Sequence, residues 1–81
     1  MTRLPGWESN GTSITHTVTG TSFMQVIDWV DAIAAVAEQM NHHPDLDIRW
    51  RDLTVALSTH DRGGLTQLDF DQAAAINQIC A

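Results

Sequence analysis

The chain has 81 residues, of which 43% are hydrophobic and 17% charged, a composition typical of a single small globular domain over residues 1–81. Four arginines against ten acidic residues give a net charge of −6, which makes a nucleic-acid-binding protein unexpected because such proteins need a basic surface. No apolar run reaches the roughly 18–20 residues that span a bilayer, and one cysteine with no secretory signal fits a reducing compartment, so we expect a cytoplasmic protein without a membrane segment.

Residues 7–20 are predicted to form a β-hairpin. Ile14, His16 and Val18 alternate with threonines, and β-branched residues favour strands. The turn signal Asn10-Gly11 places the tip of this hairpin.

Residues 22–41 are predicted to form the main helix. Ser22 is a candidate N-cap, and Pro44 disfavours helical geometry at the preceding residue, so the helix should end around Asn41 or His42. The residues with the three-four spacing of one apolar helix face are Phe23, Val26, Ile27, Val30, Ile33, Ala34, Ala37 and Met40.

A second hairpin is predicted over residues 46–60. Apolar residues alternate with polar or small ones over 53–58, which is the period of a half-buried strand. Arg51-Asp52 is the predicted tight turn, after a short strand that holds Ile48 and Trp50.

The last predicted helix covers residues 66–80, with Thr66 as N-cap and Asp69 in its first turn. The elements therefore follow the order strand, strand, helix, strand, strand, helix. Paired strands with intervening helices predict an α+β fold, with a four-stranded antiparallel sheet and the helices packed on one face.

Three of the four histidines lie at the ends of predicted elements. They are His42, His43 and His60, with Glu38 one helical turn before His42 and Asp69 at the start of the last helix. Histidine suits proton transfer because its ordinary pKa is about 6.5, and a nearby carboxylate orients its ring. These five residues are the candidate acid–base site.

Other interpretations of the same residues remain open. His42 and His43 are also placed to cap a helix C-terminus, Asp69 is also a capping-box residue, and Trp50 is also a packing residue. Together with His60 and Glu38, the histidines could hold zinc with one open position. Adjacent histidines point in different directions and no His-Glu-x-x-His is present, so we expect no metal.

The segments around these residues resemble the pterin-4a-carbinolamine dehydratases. The resemblance lies in EQMNHHP over residues 38–44, Trp50, THDRGGLT over residues 59–66, and Asp69. It implies the loss of water from 4a-hydroxytetrahydropterin to give quinonoid dihydropterin, in the recycling of tetrahydrobiopterin. It also implies that no metal, redox cofactor or covalent intermediate is required.

The resemblance assigns a role to each site residue. It implies that His42 and His60 are general acids on the two faces of the substrate, and that His43 mainly binds the pterin. Glu38 and Asp69 would orient the histidines. The other positions that it assigns to the substrate site are Trp50 and Thr59.

The resemblance also has consequences for assembly. It implies a homodimer or homotetramer, and a helix before the first strand that we expect to be missing here, because only residues 1–6 precede Trp7. Relatives of the family act as dimerisation partners of a transcription factor or resemble assembly factors for a carbon-fixing enzyme. A non-catalytic module that binds a protein partner is therefore the alternative function, and the presence of all three histidines favours the enzyme.

Overall fold

The structure, a computed structural model, describes residues 6–58 and 64–80. Its elements follow the predicted order and confirm the α+β class. They are β1 (Glu8–Ser9), β2 (Ile14–Thr19), α1 (Phe23–Met40), β3 (Asp45–Arg49), β4 (Asp52–Leu57) and α2 (Gln67–Ile79). Neither helix in this part of the chain is long and apolar enough to cross a membrane.

The four strands form one antiparallel sheet in the order β1-β2-β4-β3. Strand side chains alternate between two faces, and the inner face carries the buried Leu53, Val55 and Leu57 of β4. The outer face is polar. On that face Thr17 and Thr54 form a hydrogen bond across the β2–β4 pair at 2.9 Å. One apolar face therefore remains for the helices to cover.

The helices bury their apolar sides against that inner face. Ser22 caps α1, since its side chain accepts a hydrogen bond from the backbone N–H of Gln25 at 3.1 Å. The side chains of the core that are buried are Ile14, Val26, Ile33, Leu53, Val55, Leu57, Ala73 and Ile76. Trp7 ties the first strand to the end of α2, where its indole Nε1–H donates to Asn77 Oδ1 at 2.8 Å.

The turn between β3 and β4 lies one residue earlier than predicted. Arg49 pairs with Asp52, so the two loop residues are Trp50 and Arg51. Trp50 has φ 55° and Arg51 has no positive φ, as in a type II′ turn. The prediction that Trp50 lies in a strand was wrong. Moving the turn by one residue changes the pairing of β3 with β4 by two residues, which leaves every side chain on the same face. The alternation of apolar and polar residues therefore cannot distinguish the two registers.

Candidate functional site

The end of α1 sets the direction of the two adjacent histidines. Asn41 follows the last residue of α1, Met40, and adopts a left-handed conformation with φ 49° and ψ 45°. A residue in this conformation ends a helix. The backbone N–H of His42 turns back to donate to the carbonyl of Ala37 at 3.1 Å. His42 therefore leaves the axis of α1 and faces the start of α2.

The ring of His42 is held by Asp69. Its Nε2 lies 2.6 Å from Asp69 Oδ1, and the two side chains are 11% and 0% exposed. The second oxygen, Asp69 Oδ2, accepts the backbone N–H of Thr66 at 2.9 Å. Asp69 thus caps α2 and anchors His42 with the same carboxylate. Its role as a capping-box residue therefore does not exclude contact with a histidine.

This contact indicates which ring nitrogen of His42 carries the proton. Asp69 Oδ1 is an acceptor, so Nε2 carries a proton and Nδ1 is left free of it in the neutral ring. Nδ1 makes no hydrogen bond with the described residues. It is therefore the atom of His42 that is available to donate a proton to a ligand or to accept one.

Glu38 pairs with His43 rather than His42. His43 Nε2 lies 2.5 Å from Glu38 Oε2, and the side chains are 56% and 78% exposed. The expectation that Glu38 and His42 share one side of a helix was wrong, because α1 ends before His42. A pair this exposed contributes little to stability. Nδ1 of His43 has no hydrogen-bond partner in the described part of the chain and could bind a ligand.

Gln72 belongs to the same cluster and was not found in the sequence. Its side-chain Nε2 donates to the backbone carbonyl of His42 at 2.6 Å, and the side chain is buried. Glutamine on a helix usually lies at the surface. The only signal was its spacing of three from Asp69, which places both residues on one side of α2.

Trp50 lies away from the two histidine–carboxylate pairs in the described part of the chain. Trp50 is 71% exposed at the tip of the β3–β4 hairpin, and the four steps from Asp45 to Arg49 span about 13 Å. The structure therefore does not bring Trp50 to His42 or His43 within one chain. Thr59 and His60 lie outside the described residues.

The end of β4 lies beside the start of β3. Asp45 at the start of β3 pairs with Ala56 near the end of β4. The end of β4 and the segment that carries His43 therefore meet at one edge of the sheet.

Neither a metal cluster nor an activated thiol is found in the described part of the chain. No group of three or more potential ligand residues comes together within residues 6–58 and 64–80, and the zinc interpretation involves His60, which lies outside them. Burial raises the pKa of the Cys80 thiol above its ordinary value. A thiol that stays protonated is a poor nucleophile.

Comparison with known proteins gives a family for this arrangement. The family model described as Pterin 4 alpha carbinolamine dehydratase matches residues 1–79. A protein of Roseiflexus sp. (strain RS-1), provisionally named a pterin-4-alpha-carbinolamine dehydratase, is 50% identical over 76 residues, which are 94% of this chain and 82% of that protein. A protein of Mycolicibacterium smegmatis with the same provisional name is 44% identical over 79 residues, covering 98% of this chain and 84% of the other.

Two solved structures share the fold. A transcriptional coactivator/pterin dehydratase from Brucella melitensis superposes with a TM-score of 0.91 at 29% identity, covering 96% of this chain and 85% of that one. A pterin dehydratase-like protein identified as a RuBisCO assembly factor in the alpha-carboxysome superposes with a TM-score of 0.76. Its identity is 16%, with 93% of this chain and 87% of the other covered, so that likeness concerns the fold alone.

Proposed function

Since the chain belongs to the pterin-4a-carbinolamine dehydratase family, we propose that it removes water from 4a-hydroxytetrahydropterin by histidine acid–base catalysis. The observation that carries this proposal is His42, whose Nε2 is anchored on the buried Asp69 while Nδ1 makes no hydrogen bond within residues 6–58 and 64–80. The product is quinonoid dihydropterin, and the reaction serves the recycling of tetrahydrobiopterin.

The reaction needs one proton donor and one proton acceptor. The bond between C4a and the hydroxyl oxygen breaks, and a protonated Nδ1 of His42 supplies the proton that lets the oxygen leave as water. A ring nitrogen of the pterin forms the new double bond with C4a and loses its own proton to a base. Asp69 Oδ1 accepts from Nε2 of His42 and holds the ring in place during the transfer.

Further residues complete the proposed site. His60 is the second general acid or base, on the opposite face of the pterin. His43, held by Glu38, binds the substrate through its free Nδ1. Thr59 and Trp50 are proposed substrate contacts from the family motif, and the position of Trp50 at the far hairpin tip implies that it would contact a pterin bound to another copy of the chain.

The test is the rate of dehydration of freshly generated 4a-hydroxytetrahydropterin, followed by absorbance with and without the protein. We expect clear acceleration by the wild type. His60→Ala and His42→Ala should each lower kcat by about 10²–10⁴, because each removes a group that transfers a proton. His16→Ala is the control, since His16 lies on β2 and bonds to the Gly6 carbonyl at 2.7 Å.

Two results would count against this proposal. A near-normal kcat in His60→Ala would remove that residue from the acid–base role. No acceleration by folded wild-type protein would contradict the enzyme and favour the alternative, a module that binds a protein partner. That alternative draws support from Phe23, which is 47% exposed at the start of α1.

The setting of the reaction follows from the same arguments. We propose that the chain works in the cytoplasm, because its single cysteine suits a reducing compartment. We also propose a homodimer or homotetramer, because a chain of this size buries only about 60% of its unfolded surface and is marginally stable alone.

A further inference from the structure

Gln72 is a buried polar side chain with an unusual balance of partners. It lies one turn after Asp69 on α2, and none of its surface is exposed. Its Nε2 donates to the carbonyl of His42 at 2.6 Å. Only the NH₂ group of an amide can donate to a carbonyl, so the orientation of the amide is fixed.

The fixed amide leaves its oxygen without a partner among the described residues. Gln72 Oε1 is buried and accepts no hydrogen bond from residues 6–58 or 64–80. An unpaired buried acceptor is destabilising, and a leucine or methionine would fill the same space without one. Nothing in the packing of α2 therefore accounts for an amide here, whereas its bond to His42 does.

We propose that Gln72 is a positioning residue that fixes the backbone of His42 so that the ring stays on Asp69. His42 is then held at three points: its N–H on Ala37, its carbonyl on Gln72 and its Nε2 on Asp69. The second and third points come from one side of α2. Holding the carbonyl fixes the direction of Cα–Cβ, and so the direction in which Nδ1 points.

The kinetic consequence of this inference rests on the proposed function, whereas its structural consequence does not. A ring held on Asp69 stays in the Nε2–H form, so the two ring nitrogens keep well-separated ¹⁵N chemical shifts. A ring that leaves Asp69 exchanges between tautomers, and the two shifts move together.

The experiment compares Gln72→Leu with the wild type by ¹⁵N NMR of the His42 ring, without substrate, at about pH 8, where histidine is ordinarily neutral. We expect the two ¹⁵N shifts to converge in the variant. The melting temperature should change by less than about 5 °C, because one unpaired acceptor, Gln72 Oε1, is exchanged for another, the carbonyl of His42. Gln72→Met provides the same test with an unbranched side chain if the leucine variant does not fold.

Kinetics with the carbinolamine substrate provide a second readout. We expect kcat to fall at least about tenfold with KM changed by less than about twofold, since a misplaced catalytic group affects the chemical step more than binding. Gln78→Leu is the matched control, being the same substitution at an exposed position of the same helix. It should match the wild type in both measurements.

The outcomes separate this inference from the proposed function. Wild-type ring shifts in Gln72→Leu would overturn the positioning role. Converged shifts with an unchanged kcat would support the hold on His42 and overturn its consequence for catalysis. If the wild type does not accelerate dehydration, the proposed function fails. The NMR comparison still decides whether Gln72 holds His42: converged shifts support it and unchanged shifts overturn it.

Discussion

At the scale of single residues, burial separates the two histidine–carboxylate pairs. The distance from the histidine Nε2 to the carboxylate oxygen is nearly equal in the two pairs, at 2.6 Å for His42–Asp69 and 2.5 Å for His43–Glu38. The first is shielded from water and its carboxylate is bonded at both oxygens, whereas the second is mostly exposed. A water-exposed pair is weak and mobile, so of these two histidines His42 has the better-defined orientation.

Asp69→Asn tests the double role of this carboxylate. An amide offers one acceptor oxygen in place of two, so either the N–H of Thr66 or that of His42 must face an NH₂ group. We expect the free energy of unfolding to fall by about 1–3 kcal/mol, and kcat to fall by about 10². Urea unfolding and the dehydration assay measure the two effects.

The control for this variant is Asp71→Asn, two residues along the same helix. Asp71 Oδ1 accepts from the exposed Gln67 Nε2 at 2.9 Å, one turn away. Removing its charge should change the free energy of unfolding by less than about 0.5 kcal/mol and leave kcat unchanged. Equal losses of stability and of kcat in the two variants would mean that the negative charge of α2 matters rather than the contacts of Asp69.

At the scale of elements, local chemistry allowed most boundaries to be predicted. The N-caps Ser22 and Thr66 start the two helices as expected, and the loop of the first hairpin, residues 10–13, contains the predicted Asn10-Gly11 signal. The β3–β4 register was not predictable in this way. Both registers place Leu46 and Ile48 on the inner face, and tryptophan is ordinarily a strand residue, so its place in the turn has no local signal.

The strained turn gives a prediction about backbone conformation. Trp50 has φ 55°, which is costly for any residue with a Cβ and free of that cost for glycine. Trp50→Gly should therefore be more stable than Trp50→Ala by about 1 kcal/mol. Both variants lose the ring that lies 4.2 Å from the Arg51 guanidinium, so their difference reports the backbone alone.

The same two substitutions at Arg49 form the control for the turn. Arg49 ends β3 and has no positive φ. Glycine weakens a strand, so Arg49→Gly should be less stable than Arg49→Ala when both are unfolded in urea. If the glycine variant were less stable than the alanine variant at Trp50, as it should be at Arg49, the result would contradict a strained turn.

At the scale of the whole molecule, the candidate site was only partly predictable. The motifs supplied the residue types, and the caps placed them at the ends of elements. Asp69 reaches His42 across 27 positions, and which of Glu38 and Asp69 serves which histidine depends on how α2 packs beside α1. Gln72 was missed for the same reason, because its bond to His42 exists only once the two helices have met.

The packing of α1 leaves an apolar stripe available for association. Its members recur at helical spacing along one side of α1: Phe23, Ile27, Val30 and Ala34. None of them is fully buried, and Val30 also packs in part against the core. Apolar surface grouped in this way is typical of an interface between proteins. We expect copies of this chain to associate through the stripe, in the homodimer or homotetramer proposed above.

Ala34→Arg tests that association. Light scattering should give the wild type a mass of two or four times 8.9 kDa, and the variant a smaller mass, because a buried arginine without a partner opposes contact. Ala35→Arg is the control, since Ala35 is equally exposed but lies about 100° around the helix. Arginine is a good helix former, so neither variant should lose α1. A wild type that remains at 8.9 kDa, or equal masses for the two variants, would contradict association through this stripe.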